Sequence, residues 1–295
     1  MIHGAIGLQK NFERRKSLQF APVKKDADAL QQECDARMQA GIEVRLYNQD
    51  EVRDQFGFEA CAALYSSQAA QHDAYLFTQK LIKWCADHGA AVFDKTEIND
   101  IITHSRSVEL VTSRNLNLKA RHAVMATGYE AVRWIDKTIA QLHSTYAIIS
   151  EPFPQQYLWR DECLIWETSH PYLYLRTTPD HRVIIGGKDE MFSSAGKRDA
   201  LIHRKQQQLE KAFRKLFPHL AFATEFAWAG TFAETRDGLP YIGIYKKMPN
   251  VFFALGFGGN GITFSQVTAN IIRDMIMGKK NPDQHIFTFD RLNNT

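Results

Sequence analysis

The residues best placed to do chemistry lie near the C-terminus, in the run Gly256-Phe257-Gly258-Gly259-Asn260-Gly261-Ile262-Thr263. Glycines let backbone approach a ligand without Cβ interference. The unpaired first-turn N–H groups of a following helix point outward at the positive end of its dipole. Such a run is suited to an anion. The same residues also read as a tight turn between two core elements. A second group is Tyr172, Tyr174 and Arg176. Their spacing of two puts all three on one face of a strand, with Leu173 and Leu175 on the other. Taken alone, that face reads as a solvated strand face, with Arg176 paired structurally to a carboxylate such as Glu167.

The elements that must position these groups follow from periodicity. Val251-Phe252-Phe253-Ala254-Leu255 is apolar without alternation, as a strand covered on both faces requires. After the glycines, Ile262, Val267, Ile271, Ile272, Met275 and Ile276 recur at helical spacing, and Gly278 with Lys279 and Lys280 closes the helix. Ala123-Val124-Met125-Ala126-Thr127-Gly128 is a second apolar strand, ending in a small-residue turn. Upstream, residues 1–16 read as the middle or end of a helix, because no cap precedes Ile2, Ile6 and Leu8. Ser17 to Ala21 alternates as a strand, Asp26 opens a helix that runs to Gly41, Val44 to Tyr47 is a strand, and Asn48 caps a short helix. Asp73 caps a helix carrying Leu76, Phe77, Leu81, Ile82 and Cys85. Short strands are expected at 91–93, 98–102, 107–112 and 116–119, forming a meander. Val183 to Gly187 pairs back on the tyrosine strand through Pro179-Asp180, and a charged helix covers 199–216.

Composition narrows the class. The chain has 295 residues, 44% of them hydrophobic, enough for a sizeable core. With 36 basic and 33 acidic residues interspersed, it lacks the one-signed field that favours nucleic acid or an anionic membrane. Arg14-Arg15-Lys16 reads as solvated surface. Cys34, Cys61, Cys85 and Cys163 are widely spaced, without ligand spacing to each other or to histidine, so they read as reduced, buried thiols with no metal site. The first residues are too short an apolar run for a signal peptide, and no run approaches the roughly 18 apolar residues of a membrane span. A cytoplasmic protein without a transmembrane segment is expected.

Three segments taken together are more specific than any one alone: Ala126-Thr127-Gly128-Tyr129, the stretch from Trp228 to Gly243, and the glycine run. Their order and spacing resemble the D-amino-acid-oxidase-like (DAO) family of FAD-dependent oxidoreductases, which includes glycine oxidase, sarcosine oxidase and γ-glutamylputrescine oxidase. The resemblance covers nearly the whole chain. It implies a mixed α/β fold: a Rossmann-like FAD domain and an antiparallel-sheet substrate domain. It implies that Ala126, Thr127 and Gly128 pass near the adenosine and pyrophosphate side of FAD and that Thr235 to Gly243, with Asp237, runs beside the flavin. Gly258, Gly259, Asn260, Gly261, Ile262 and Thr263 then sit at its pyrimidine end. A helix N-terminus aimed there stabilises charge on the reduced ring. The implied reaction is hydride transfer from the carbon next to an amine nitrogen, with a small-molecule amine or amino acid as substrate. Tyr172, Tyr174 and Arg176 become the substrate-lining candidates, and no particular catalytic side chain is singled out.

Three departures shape the expectation. Where glycine-oxidase-like members carry an Arg for the substrate carboxylate, this chain has Phe232, which offers no donor. Where sarcosine-oxidase-like members attach flavin through Cys, it has Gly230, so FAD is expected to be non-covalent. The strand, G-x-G-x-x-G turn and helix that grip the FAD pyrophosphate have no counterpart in the sequence, and Gly4-x-x-Gly7 is no substitute. The expected organisation is therefore a Rossmann-like domain lacking its first βαβ unit. Residues 1–69 and 139–228 are assigned to the substrate domain, and 70–138 and 229–295 to the FAD domain. The chain is expected to bind FAD weakly or not at all and to be inactive if it does not; a non-catalytic module, or one half of a split flavoenzyme with a separate N-terminal half, is the alternative.

Overall fold

The computed structural model describes Gly7 and residues 12–293. The first elements are β1 (Phe12–Ala21), α1 (Lys24–Gln39), β2 (Val44–Asn48), α2 (Gln49–Phe56), β3 (Ala62–His72) and α3 (Ala74–Asp87). Short strands follow: β4 (Ile98–Thr103), β5 (Val108–Thr112), β6 (Asn117–Ala120) and β7 (Ala123–Met125). Then come β8 (Ala140–Ser150), β9 (Leu164–Glu167), β10 (Tyr174–Thr177), β11 (Val183–Glu190), α4 (Ala195–Ala200) and α5 (Ile202–Leu216). The chain closes with β12 (Thr224–Thr235), β13 (Tyr241–Ile244), β14 (Val251–Leu255) and α6 (Gly261–Ile276), followed by two 3-10 turns. Mixed α/β architecture is therefore observed as expected.

Two compact units result. The first takes in Met1–Cys85, Ser144–Glu190 and Ser194–Gly230, and most of the eight-stranded sheet β12-β8-β11-β10-β9-β1-β3-β2 lies in it. Most pairs in this sheet are antiparallel, and β1 with β9 is parallel. Alternation drives one face inward: Leu173, Leu175 and Thr177 are buried while Tyr172, Tyr174 and Arg176 stay half-buried. The inward face packs with Leu18, Ile148, Ile165 and Ile185 and with Leu209, Phe213 and Phe217 of α5 and its end. Burying each such side chain contributes about 1.5–3 kcal/mol, which fixes the register, since a one-residue slip would expose the whole row. At the other end, Asn48 caps α2 with a complete capping box: its side chain accepts from the Glu51 N–H, and Glu51 accepts from the Asn48 N–H.

The second unit takes in Ala86–His143, Met191–Ser193 and Thr231–Thr295 and holds two three-stranded sheets, β13-β14-β7 and β4-β5-β6. The latter is the expected meander. In the former, β14 is buried along its whole length, between one cluster that includes Val251, Phe253 and Leu255 and another that includes Phe252 and Ala254. This is the two-sided cover its unbroken apolar sequence calls for.

Several expectations are corrected. Phe12 to Lys16 belong to strand β1 and not to a helix; residues 1–6 and 8–11 of that expected helix lie outside the described residues. Ala91, Val92 and Phe93 form no strand and are exposed, Phe93 at 70%. Strand β3, eleven residues long, was not expected at all. Helix α3 starts where expected, with the Leu76 N–H donating to Asp73 Oδ1 at 2.8 Å, yet none of its residues is buried. Among the cysteines, Cys34 and Cys163 are buried, whereas Cys61 and Cys85 are only half-buried. No described helix is long and apolar enough to cross a membrane, and no described group of His, Cys, Asp and Glu could hold a metal ion.

Candidate functional site

In the second unit, β7 and β14 run parallel, with Ala123 opposite Val251 and Met125 opposite Phe253. Both strands therefore deliver their C-terminal residues to the same end of the sheet. Ala126-Thr127-Gly128 leaves β7 there, exposed, and the glycine run leaves β14 beside it. That end of a parallel pair is where open α/β sheets bind ligands. The structure thus brings together two of the three predicted cofactor segments by strand register alone.

The glycine run is a turn whose geometry needs glycine. Gly256 has φ +76°, and a Cβ there would stand 2.5 Å from Thr235 Cγ2, so β12 approaches too closely for a side chain. Gly258, at φ +53°, donates its N–H to the Ala233 carbonyl at 3.0 Å, tying the turn to the same strand. Beyond that tie the turn faces outward. Cβ atoms built on Gly258 and Gly261 meet no atom within 4 Å, and Gly259, Asn260, Ile262 and Thr263 are exposed. Helix α6 begins at Gly261 with Asn260 as N-cap, but the Asn260 side chain makes no capping bond. A sixteen-residue helix thus starts at an open glycine turn without side-chain cover over its first N–H groups. An exposed isoleucine at the first turn, Ile262 at 60%, also leaves apolar surface beside those donors. This donor set fits the polar edge of a flavin.

Asp237 is placed differently from a free ligand-binding acid. Its Oδ1 accepts from the Leu239 N–H at 3.2 Å, closing a local turn, and its Oδ2 lies 3.4 Å from Arg291 Nε. Arg291 in turn lies over the Tyr241 ring at 4.3 Å and donates to the Leu239 and Pro240 carbonyls. The stretch from Thr235 to Gly243 is held in shape by these bonds.

In the first unit, Tyr172, Tyr174 and Arg176 share a face. Tyr172 precedes β10 instead of lying within it, and its ring stands 6.1 Å from that of Tyr174. The Tyr174 ring lies against Gly186 of β11, where a Cβ would stand 2.2 Å from its Cζ and hydroxyl oxygen. Its hydroxyl is hydrogen-bonded to Thr145, and burial pushes its pKa up. Burial also pulls the Arg176 guanidinium down, with Asp73 and Glu13 opposing and Arg15 adding to the effect. Arg176 makes one long bond, 3.5 Å from Nη1 to the Thr177 carbonyl. The alternative pairing with Glu167 is not formed. Glu167 instead accepts from the Leu173 N–H at 3.0 Å, and burial pushes its carboxyl up.

Sequence reasoning missed the residues that complete this face. A Cβ on Gly230 would lie 3.8 Å from Thr145 Cγ2, and strand parity places Phe226 and Trp228 with Gly230. Both aromatics are exposed, at 62% and 43%. The alternation of Phe226, Trp228 and Gly230 was a usable signal; the Thr145 and Gly186 contacts depend on register between distant strands. In the second unit, Phe232 stacks on His143, with centroids 5.3 Å apart, and His143 Nε2 lies 3.5 Å from Glu234 Oε2. An aromatic pair stands where a carboxylate clamp was not expected.

The family model described as FAD dependent oxidoreductase (DAO) matches residues 4–275. Glycine oxidase of Bacillus subtilis is 24% identical over 258 residues, covering 84% of this chain and 67% of that protein. The probable oxidoreductase OrdL of Haemophilus influenzae is 21% identical, covering 90% of this chain and 61% of its own length. D-amino acid dehydrogenase of Granulibacter bethesdensis is 26% identical, covering 72% and 50%. The chain thus spans between half and two thirds of these relatives. Among solved structures, glycine oxidase from Geobacillus kaustophilus superposes with a TM-score of 0.83 at 20% identity, covering 97% of this chain and 77% of that one. L-proline dehydrogenase from P. horikoshii gives 0.81 at 17% identity, covering 99% and 80%. These two likenesses concern the fold.

Proposed function

The chain belongs to the FAD-dependent oxidoreductase (DAO) family, and on that premise we propose that it serves in oxidation of the C–N bond of a small amine or amino acid. The observation that carries this reading is the shared end of β7 and β14, where Ala126 to Gly128 and the open start of α6 emerge side by side. When bound, FAD would supply the hydride acceptor. Gly258, Gly259, Asn260, Gly261, Ile262 and Thr263 would hold the pyrimidine edge of the flavin, with first-turn N–H groups of α6 favouring negative charge there. Ala126, Thr127 and Gly128 would take the pyrophosphate side. Asp237, tied into its turn, would shape the wall beside the ring. Attachment would be non-covalent, since Gly230 has no side chain to form a bond. Tyr172, Tyr174 and Arg176 would line the substrate side, orienting the amine and excluding water. The boundaries expected above, with 1–69 and 139–228 on the substrate side and 70–138 and 229–295 on the FAD side, belong to the same reading.

The test is an anaerobic titration of the full chain, with FAD in excess, against glycine, D-alanine, L-proline and a simple amine. Loss of the flavin's visible absorption with one of them is expected. If flavin is bound and none of the panel bleaches it, the reading of these small amines and amino acids as substrates fails and the non-catalytic alternative is favoured.

A second reading is favoured by the edge of the β13-β14-β7 sheet. β7 has a neighbour on one side only among the described residues, and Val124 is 48% exposed. A separate polypeptide supplying a parallel strand and a glycine-rich turn would pair there and carry the pyrophosphate grip. On this reading the chain alone quenches FAD fluorescence weakly or not at all. Tight quenching by the chain alone would remove the need for a second polypeptide.

A further inference from the structure

Burying an ammonium group is costly, and an apolar side chain of similar volume in its place is often neutral or stabilising. Lys205 of α5 is nevertheless buried, at 5% exposure. Its Nζ donates to the Lys188 carbonyl and to Glu190 Oε1, both at 2.6 Å, and stands 5.1 Å over the Tyr146 ring. These contacts converge on one irregular point of β11. Gly187 pairs with Tyr146 and Glu190 with Ser144, so three steps along β11 match two along β8. That is a bulge of one residue. Its backbone is unusual: Gly187 has φ +129° and Lys188, which has a side chain, has φ +58°. Such a conformation persists only where the surroundings enforce it.

The bulge is also the floor under the tyrosines. A Cβ on Gly187 would stand 2.4 Å from the Tyr172 carbonyl oxygen, and one on Gly186 would stand 2.2 Å from the Tyr174 ring. The approach of residues 172–174 to β11 therefore depends on the path of the backbone from Gly186 to Lys188. Lys205 grips both sides of that path, a carbonyl on the bulge and the carboxylate two residues on.

We propose that Lys205 is a positioning residue: through the Lys188 carbonyl and Glu190 it locks the β11 bulge that sets the places of Tyr172 and Tyr174 on the substrate face. The clamp acts from the opposite side of the sheet and touches no substrate. Its importance for binding rests on the reading of Tyr172 and Tyr174 as substrate-lining.

The experiment uses the full chain labelled with 3-fluorotyrosine, with the two 19F signals assigned by Tyr172→Phe and Tyr174→Phe. Lys205→Met keeps the volume and removes the donor; Lys205→Arg keeps a charged donor. The expected result is that Lys205→Met folds, displaces both signals by more than their linewidth and leaves the Tyr47 signal in place, while Lys205→Arg returns them toward their original positions. Glycine and D-alanine titrated against the same signals should bind about tenfold more weakly to Lys205→Met, a loss of about 1.4 kcal/mol. Signals unchanged in Lys205→Met, or displaced equally in both variants, would overturn the clamp. If Lys205→Met does not fold, Glu190→Gln is read the same way, with displaced signals expected and unchanged signals overturning the proposal. Should neither amino acid move either signal in the unaltered chain, the substrate-face reading fails, while the variants still decide the clamp.

Discussion

Gly186 is the residue on which the substrate face turns most sharply. The Tyr174 ring lies where a Cβ on Gly186 would be, 2.2 Å from its Cζ. Gly186→Ala must push the ring away and should cost about 1–3 kcal/mol of stability, the usual cost of overpacking. Amino-acid binding should fall as well, measurable by titration beside a thermal melt; unchanged binding would take Tyr174 out of the contact. Glu167 supports the same strand pair and carries a pH signature. Its folded pKa is raised by burial, so its stabilising contribution is full below the unfolded carboxylate value of about 4.3 and is lost as pH rises through the folded value. Glu167→Gln keeps an acceptor for the Leu173 N–H without the charge. Its melting midpoint should exceed that of the unaltered chain near pH 7 and converge with it near pH 4. A constant difference at all pH values would exclude the titration.

At the scale of elements, the glycine turn between β14 and α6 is over-determined. Gly256→Ala would place a Cβ against Thr235 at 2.5 Å in a left-handed backbone, a conformation that alone costs about 1–2 kcal/mol for a residue with a side chain. The turn should shift, and a drop in melting temperature together with loss of residual FAD quenching would show it. A drop in melting temperature with quenching retained would separate the turn from the cofactor. This turn was legible in the sequence because everything it needs is local: an apolar strand, glycines, a helical repeat. The face of Tyr172, Tyr174 and Arg176 was legible for the same reason, through alternation. What stayed hidden depended on distant strands. β3 was missed because Ser66, Ser67, Gln68 and Gln71 do not look like a strand until β1 and β2 flank it. Val92 and Phe93 look like a strand and pair with nothing among the described residues. Thr145 beneath Tyr174 and the bulge at Gly187 follow from register, which no single segment encodes.

For the whole molecule, the edge of β7 and the exposed side chains of helix α3 bear on behaviour in solution. An exposed strand edge with an apolar side chain invites pairing with other chains, and a lysine on it discourages that. Val124→Lys should therefore reduce light scattering on warming without lowering the melting midpoint. Equal scattering would place the route to association elsewhere, α3 being the first alternative, with Tyr75 75% exposed. The four thiols divide just as unevenly. Burial pushes the Cys163 thiol up to about 12 and raises that of Cys34, which leaves almost no thiolate at either position at neutral pH. Cys61 and Cys85 remain partly open. A thiol-directed dye pair should therefore settle on those two alone, giving the native chain a built-in ruler from the start of β3 to the last turn of α3.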